Sequence, residues 1–187
     1  LDYKPWIIFI IILFHFLLSN AQPGAIDPTF NPIDNGVFPG ANGVINSVAI
    51  QSDGKIIAGG DFTLYSNESR NRIARLTING ALDPSFNPGI GTNFGVRDIK
   101  IQADGKIIIV GDFTSFNGVN RNRIARLNND GTLDETFNPG TGANNNIYSI
   151  LVQPDGKIII VGDFTIYNGT NRSYLARLNN NGTLDQS

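Results

Sequence analysis

The sequence predicts an all-β fold made of tandem antiparallel sheets, and three observations predict it. First, the chain repeats itself. Asp53-Gly54-Lys55, Asp104-Gly105-Lys106 and Asp155-Gly156-Lys157 stand 51 residues apart, as do Gly60-Asp61-Phe62-Thr63 and its copies from Gly111 and Gly162. Ala74-Arg75-Leu76 recurs at the same step from Ala125 and Ala176, and Leu82-Asp83 recurs as Leu133-Asp134 and Leu184-Asp185. Second, the apolar residues of each unit are β-branched and either alternate or run together over four to five positions, the patterns of half-buried and fully buried strands. Third, Asp-Gly and Asn-Gly pairs separate these runs, the turn chemistry of hairpins.

Each unit reads in order as follows. Val48 and Ile50, with Ile99 and Ile101, and Ile150 and Val152, alternate with their neighbours and predict a first strand with one face buried. The Asp-Gly turn follows at once. Lys55 to Ala58, Lys106 to Val110 and Lys157 to Val161 are nearly continuous apolar runs and predict a second strand covered on both faces. A polar loop such as Asn117 to Asn120 leads to a third strand at Ile73 to Leu76, Ile124 to Leu127 and Leu175 to Leu178. After Asn79-Gly80, Asp130-Gly131 or Asn181-Gly182, a short fourth strand is expected around Leu82 to Phe86 and its counterparts.

Four short antiparallel strands per unit, repeated in tandem, predict blades of a β-propeller, since a lone blade cannot bury both faces. An open β-solenoid arc is the alternative, although 51 residues is long for one coil of a β-helix. The reading divides the chain into a leader (1–21), a partial repeat and linker (22–44), blade 1 (45–95), blade 2 (96–146) and a third blade (147–187) that stops short of its last phenylalanine. Ile26 to Pro32 repeats the tail of the unit, and Ile26 to Asn31 is read as a strand that closes a ring. The whole is read as an N-terminal fragment of about three blades.

Trp6 to Leu18 is apolar except for His15, and its length suits a signal-peptide core better than a bilayer span of about 20 residues. Ser19-Asn20-Ala21 supplies small residues for cleavage after Ala21. The expectation is export, to the medium or the cell surface, with no membrane span in the mature chain. Composition narrows the chemistry. The chain has no cysteine, and its only histidine and tryptophan lie in the leader. That leaves no disulfide, no cysteine-zinc site and no Ser-His-Asp machinery in the mature part. A net charge of −2 gives no footprint for nucleic acid.

The blocks Asp104-Gly105-Lys106, Gly111-Asp112-Phe113, Arg126-Leu127, Asp130-Gly131 and Leu133-Asp134, recurring in order and spacing, resemble the delta-60 repeat of secreted bacterial proteins. The resemblance covers Ile26 to the end. It implies a β-propeller and export, in large proteins of Bacteroidetes-like bacteria that often carry a sorting domain, and it implies no enzymatic activity.

Candidate residues follow from recurrence. Asp61, Asp112 and Asp163 are expected to pair with Arg75, Arg126 and Arg177 in a structural role. Gly54, Gly105 and Gly156 are turn glycines, and Lys55, Lys106 and Lys157 are expected to be solvated beside them. Tyr65, Phe116 and Tyr167, each five residues before Arg70, Arg121 or Arg172, could present an aromatic and a cation to a ligand, or pack between blades. Asp130 to Asp134 faintly matches a calcium loop, but it is too short, and Asn79 and Asn181 replace Asp130 in the other copies. Asn67, Asn168, Asn171 and Asn181 head glycosylation sequons, read here as turn asparagines. Asp98 and Glu135 are acids that break the repeat, without a partner apparent in the sequence. No cofactor is expected. The functional expectation is a secreted or surface binding, adhesion or structural module for an unknown extracellular ligand, glycan or protein. The alternative is part of a carboxylate-dependent glycan-active enzyme.

Overall fold

The structure, a computed structural model, describes Gly40 to Ser187 together with Phe30. The leader and the partial repeat at Ile26 to Pro32 therefore lie outside the described residues, Phe30 excepted. Among the described residues fifteen strands are formed and no helix. In the first unit β1 is Ile45–Ile50, β2 Ile56–Gly60, β3 Leu64–Tyr65, β4 Glu68–Ser69 and β5 Ile73–Leu76. The second unit repeats them as β6 Val96–Ile101, β7 Ile107–Gly111, β8 Ser115–Phe116, β9 Val119–Asn120 and β10 Ile124–Leu127. The third repeats them as β11 Ile147–Val152, β12 Ile158–Gly162, β13 Ile166–Tyr167, β14 Thr170–Asn171 and β15 Leu175–Leu178.

Each unit is one antiparallel sheet in the order first, second, fifth strand, with the two short strands forming a separate hairpin. The polar loop of the sequence is thus a small hairpin that stands off the sheet. The Asp-Gly turns behave as their chemistry requires. Gly54, Gly105 and Gly156 have φ near +81°, and Asp53, Asp104 and Asp155 accept the amide two residues on.

The expected fourth strand shrinks to one bridge per unit, Leu76 to Leu82 and its two counterparts. The next residue explains why. The carboxylate of Asp83 accepts from the amide and hydroxyl of Ser85, and Asp134 does the same with Thr136, which turns the chain out of the sheet.

The blades stack face to face. Ile57, Ile73 and Phe86 of the first unit pack with Val96, Ile99 and Ile107 of the second, all at most 1% exposed. Ile108, Ile124 and Phe137 of the second pack in the same way with Ile147, Ile150 and Ile158 of the third. Burying one such side chain contributes about 1.5–3 kcal/mol, so the two interfaces are the core. Phe86 and Phe137 lie against the next unit's turn glycine. A Cβ on Gly131 would sit 3.0 Å from the Phe86 ring.

The stack is open at both ends among the described residues. Val48 is 60% exposed, whereas its counterparts Ile99 and Ile150 are nearly inaccessible. At the other end Leu175 is 59% exposed, whereas Ile73 and Ile124 are fully buried. No helix of the described residues is long and apolar enough to cross a membrane.

Candidate functional site

The arginines of the third strand do not pair with the Gly-Asp-Phe aspartates. Arg75 Nε donates to Asp83 at 2.9 Å and Arg126 Nε to Asp134 at 2.7 Å, and Arg177 pairs with Asp185. The register explains the change of partner. Arg75 lies opposite Ile57 on β2, while the bridge at Leu82 brings the next residue, Asp83, alongside the arginine. Lys55, Lys106 and Lys157 are not solvated turn charges either. Their ammonium groups reach the same three carboxylates at 2.8–3.0 Å. Each carboxylate therefore receives two cations and the following Ser or Thr.

For Asp134, burial alone would raise the pKa. The donors Lys106, Thr136 and Arg126 outweigh burial and hold the carboxyl well below the usual range, and Asp83 behaves alike. Arg75 and Arg126 also cover the rings of Phe86 and Phe137, at 5.1 and 4.9 Å, and donate across the interface to the carbonyls of Asn129 and Asn180. This cluster is a joint between blades.

The aromatic candidates are also structural. Tyr65, Phe116 and Tyr167 are at most 4% exposed and do not face a ligand. Each forms a backbone bridge to the segment entering its own blade, at Ala41, Thr92 and Ala143. The buried tyrosine hydroxyls donate to the carbonyls of Gly80 and Gly182, and burial raises both phenols. Arg70, Arg121 and Arg172 turn back to the carbonyl of the preceding residue. Asp130 is occupied by the amide and hydroxyl of Thr132, and Asp134 by Arg126 and Lys106. Among the described residues no three acidic or histidine side chains converge on a metal position.

What remains is a row along the first strands, where neighbouring blades come closest. Each first strand carries a bulge: Ile45 pairs with Gly60 but Ser47 with Gly59, and the same slip occurs at Val96/Asp98 and Ile147/Ser149. The extra residues are Asn46, Arg97 and Tyr148, three different side chains at one repeat position. A bulge re-aims the side chain it adds. Here it aims each one at the aspartate that follows the second strand.

Asn46 Nδ2 donates to Asp61 at 3.2 Å and, across the interface, to the carbonyl of Val96 at 3.0 Å. Arg97 Nε donates to Asp112 at 2.8 Å, its Nη2 donates to the same oxygen, and its Nη1 reaches Asp61 at 3.2 Å. The Tyr148 hydroxyl donates to Asp163, and that bond raises its pKa. Arg97 is likewise raised, chiefly by its hydrogen bond to Asp112.

The bulge requires glycine at its partner position. A Cβ on Gly60, Gly111 or Gly162 would collide with the carbonyl of Val44, Gly95 or Asn146. The row stays accessible: Asp61 is 40%, Arg97 34% and Tyr148 45% exposed. Asp112 Oδ1, by contrast, is buried without a hydrogen-bond donor.

One residue beyond the bulge, Asp98 does what no other copy of that position does. Its Oδ1 accepts from Ser47 at 3.0 Å, from the Ile99 amide at 2.8 Å and from Lys100 at 2.8 Å. Its Oδ2 accepts from Ser149 at 3.1 Å and from the Ile150 amide at 3.0 Å. This one carboxylate ties three first strands together. Burial works against its charge, and Lys100 and the two amides more than offset that, so its pKa is lowered. Glu135 is exposed on the surface. The sequence carried the signal for this site in the positions where the three copies differ, but the bulge that turns those positions toward the aspartates is visible only in the pairing.

The family described as "Domain of unknown function (DUF5122) beta-propeller" matches residues 51–86, 102–137 and 153–187, more than half of the chain and one match per blade. The chain belongs to this family. A second match, to the WD domain, G-beta repeat, covers residues 34–65, the start of the first blade. The DUF5122 matches begin at the glutamine that closes each first strand, so the bulge residues of all three blades fall outside them. A comparison with curated proteins finds no match.

Proposed function

We propose that this propeller is an exported binding module whose ligand is read by the bulge row Asn46, Arg97 and Tyr148. One observation carries the reading. The acceptors Asp61, Asp112 and Asp163 are the same in every blade, while the side chains they hold differ in each. A constant scaffold that fixes a changing set of side chains at an accessible edge is how a repeat protein varies specificity without altering its fold.

The row offers carboxylate acceptors, a guanidinium, an amide and a half-exposed phenol, a set suited to a hydroxyl-rich or charged extracellular ligand such as a glycan or a protein loop. Export rests on the apolar leader and its Ser19-Asn20-Ala21 end. The relationship to delta-60 repeats of Bacteroidetes-like bacteria rests on the motif blocks.

A glycan and protein panel probed with the chain tests this. Binding is expected without turnover, and Arg97→Ala with Tyr148→Ala should abolish it. Binding unchanged in that variant would overturn the reading, and turnover would favour the glycan-active alternative. An exported product beginning at Gln22 is expected on N-terminal sequencing.

A further inference from the structure

Arg72 and Arg123 occupy one repeat position with one backbone. Both have φ +67°, and each donates its amide to a phenylalanine carbonyl of its own blade, Phe62 or Phe113, at 2.8 Å. Their side chains nevertheless diverge. In the first blade Arg72 Nη1 donates across the interface to the Thr92 carbonyl of the second at 3.0 Å. In the second blade Arg123 Nη1 turns back to the carbonyl of Asp112 in its own blade. The Ala143 carbonyl, which corresponds to that of Thr92, accepts no hydrogen bond among the described residues.

A cleft of about 290 Å³ opens there between the second and third blades, lined by Asn122, Arg123, Thr141, Ala143, Asn144 and Ile166. Its walls are fixed. Asn122 Nδ2 donates to the Thr141 carbonyl at 2.8 Å, and the Ala143 amide donates to the Asn122 carbonyl at 3.4 Å. Asn144 Oδ1 accepts from the amides of Thr165 and Ile166 at 2.9 and 3.0 Å. The donor side of the cleft is underused. Arg123 Nε is buried without an acceptor, and its Nη2 makes no bond among the described residues. The neighbouring carboxylate, Asp112, is held by Arg97 and forms no ion pair with Arg123. The cleft thus presents a guanidinium, a carbonyl acceptor and the apolar edge of Ile166, which is 36% exposed.

We propose that this cleft binds a sugar acid, a uronate residue whose carboxylate sits on the Arg123 guanidinium while a ring hydroxyl donates to the Ala143 carbonyl. A planar carboxylate matches the guanidinium fork, and the hydroxyl supplies the donor that Arg72 supplies to Thr92 in the first interface. A uronate carries both groups on one ring, with a C–H face left for Ile166. The cleft lies near the lower end of the volumes of small-ligand sites, which suits a single ring. The site is separate from the bulge row, and the proposal stands whether or not that row binds.

The test titrates methyl glucuronide, methyl glucoside and acetyl-glutamate amide into the isotope-labelled chain. The glucuronide should shift the amides of Ala143, Asn144 and Ile166 saturably, and the glucoside, which lacks the charge, should bind at least about tenfold more weakly. Arg123→Gln should weaken the glucuronide by at least about the same tenfold factor, with the first-blade amides unmoved. Arg123→Lys keeps the charge without the fork and should recover only part of the loss. Arg72→Gln, the same change where the arginine is already spent on Thr92, should leave the affinity as it was. Equal responses to glucuronide and glucoside, undiminished binding in Arg123→Gln, or shifts confined to other parts of the chain would overturn the proposal. Tighter binding of acetyl-glutamate amide than of the glucuronide would also overturn it and make an acidic peptide the occupant. The comparison of glucuronide with glucoside needs no variant, so it decides the matter even if substitution at Arg123 unfolds the blade.

Discussion

Asp134→Ala should be among the most destabilising substitutions in this chain, and the structure sets both its size and its control. Asp134 is 4% exposed and receives Arg126, Lys106 and both donors of Thr136. Its removal strands the Arg126 guanidinium, 6% exposed and over the Phe137 ring, without its carboxylate. Leaving one member of a buried pair uncompensated costs about 3–5 kcal/mol. Asp185 holds the same repeat position with the same partners, Arg177 and Lys157, but Arg177 is 40% exposed and water can take over its solvation. Asp185→Ala should therefore cost a small fraction of the loss at Asp134. Urea titration by circular dichroism measures both, comparing midpoints and slopes because repeat units can unfold in steps. Equal losses at the two positions would refute the claim that cross-blade burial gives the cluster its strength.

Acid should unfold the protein through the same carboxylates. Asp83 and Asp134 have folded pKa values below their unfolded ones, so their stabilisation is complete above about pH 4 and is lost as pH falls below that. Asp134→Asn should flatten that acid limb in a stability-against-pH series. Asp98→Ala removes the acceptor shared by three first strands and should cost about 1.5–3 kcal/mol in urea melts, with amide exchange rising at Ile99 and Ile150. Gly111→Ala forces a methyl against the Gly95 carbonyl and should cost about 3 kcal/mol in thermal melts, with the Arg97 side chain displaced.

The architecture was legible because every level of the sequence agreed. The period, the β-branched runs at Ile107 to Val110 and the Asp-Gly turns all required short antiparallel strands. Partner choice was not legible. Asp112 and Arg126 recur together, but recurrence does not say which residues share a side of the sheet, and the single bridge at Leu127–Leu133 gives Arg126 to Asp134 instead. The fourth strand was overestimated because hydrophobic pattern outweighed the Asp-x-Ser/Thr turn that ends it. Tyr65, Phe116 and Tyr167 do not face a ligand because each bridges the segment entering its blade and packs into a core cluster, contacts that the residue order alone does not reveal. Asp98 looked partnerless because its partners, Ser47 and Ser149, lie one full repeat away on either side.

The most direct test of the bulge row is an amide-resolved titration of the isotope-labelled chain with whichever panel ligand binds. Perturbations are expected at Asn46, Arg97, Tyr148 and the aspartates that hold them, with no response at the hairpin tips around Val119. Perturbations centred on those tips, with the first strands silent, would contradict the bulge-row reading.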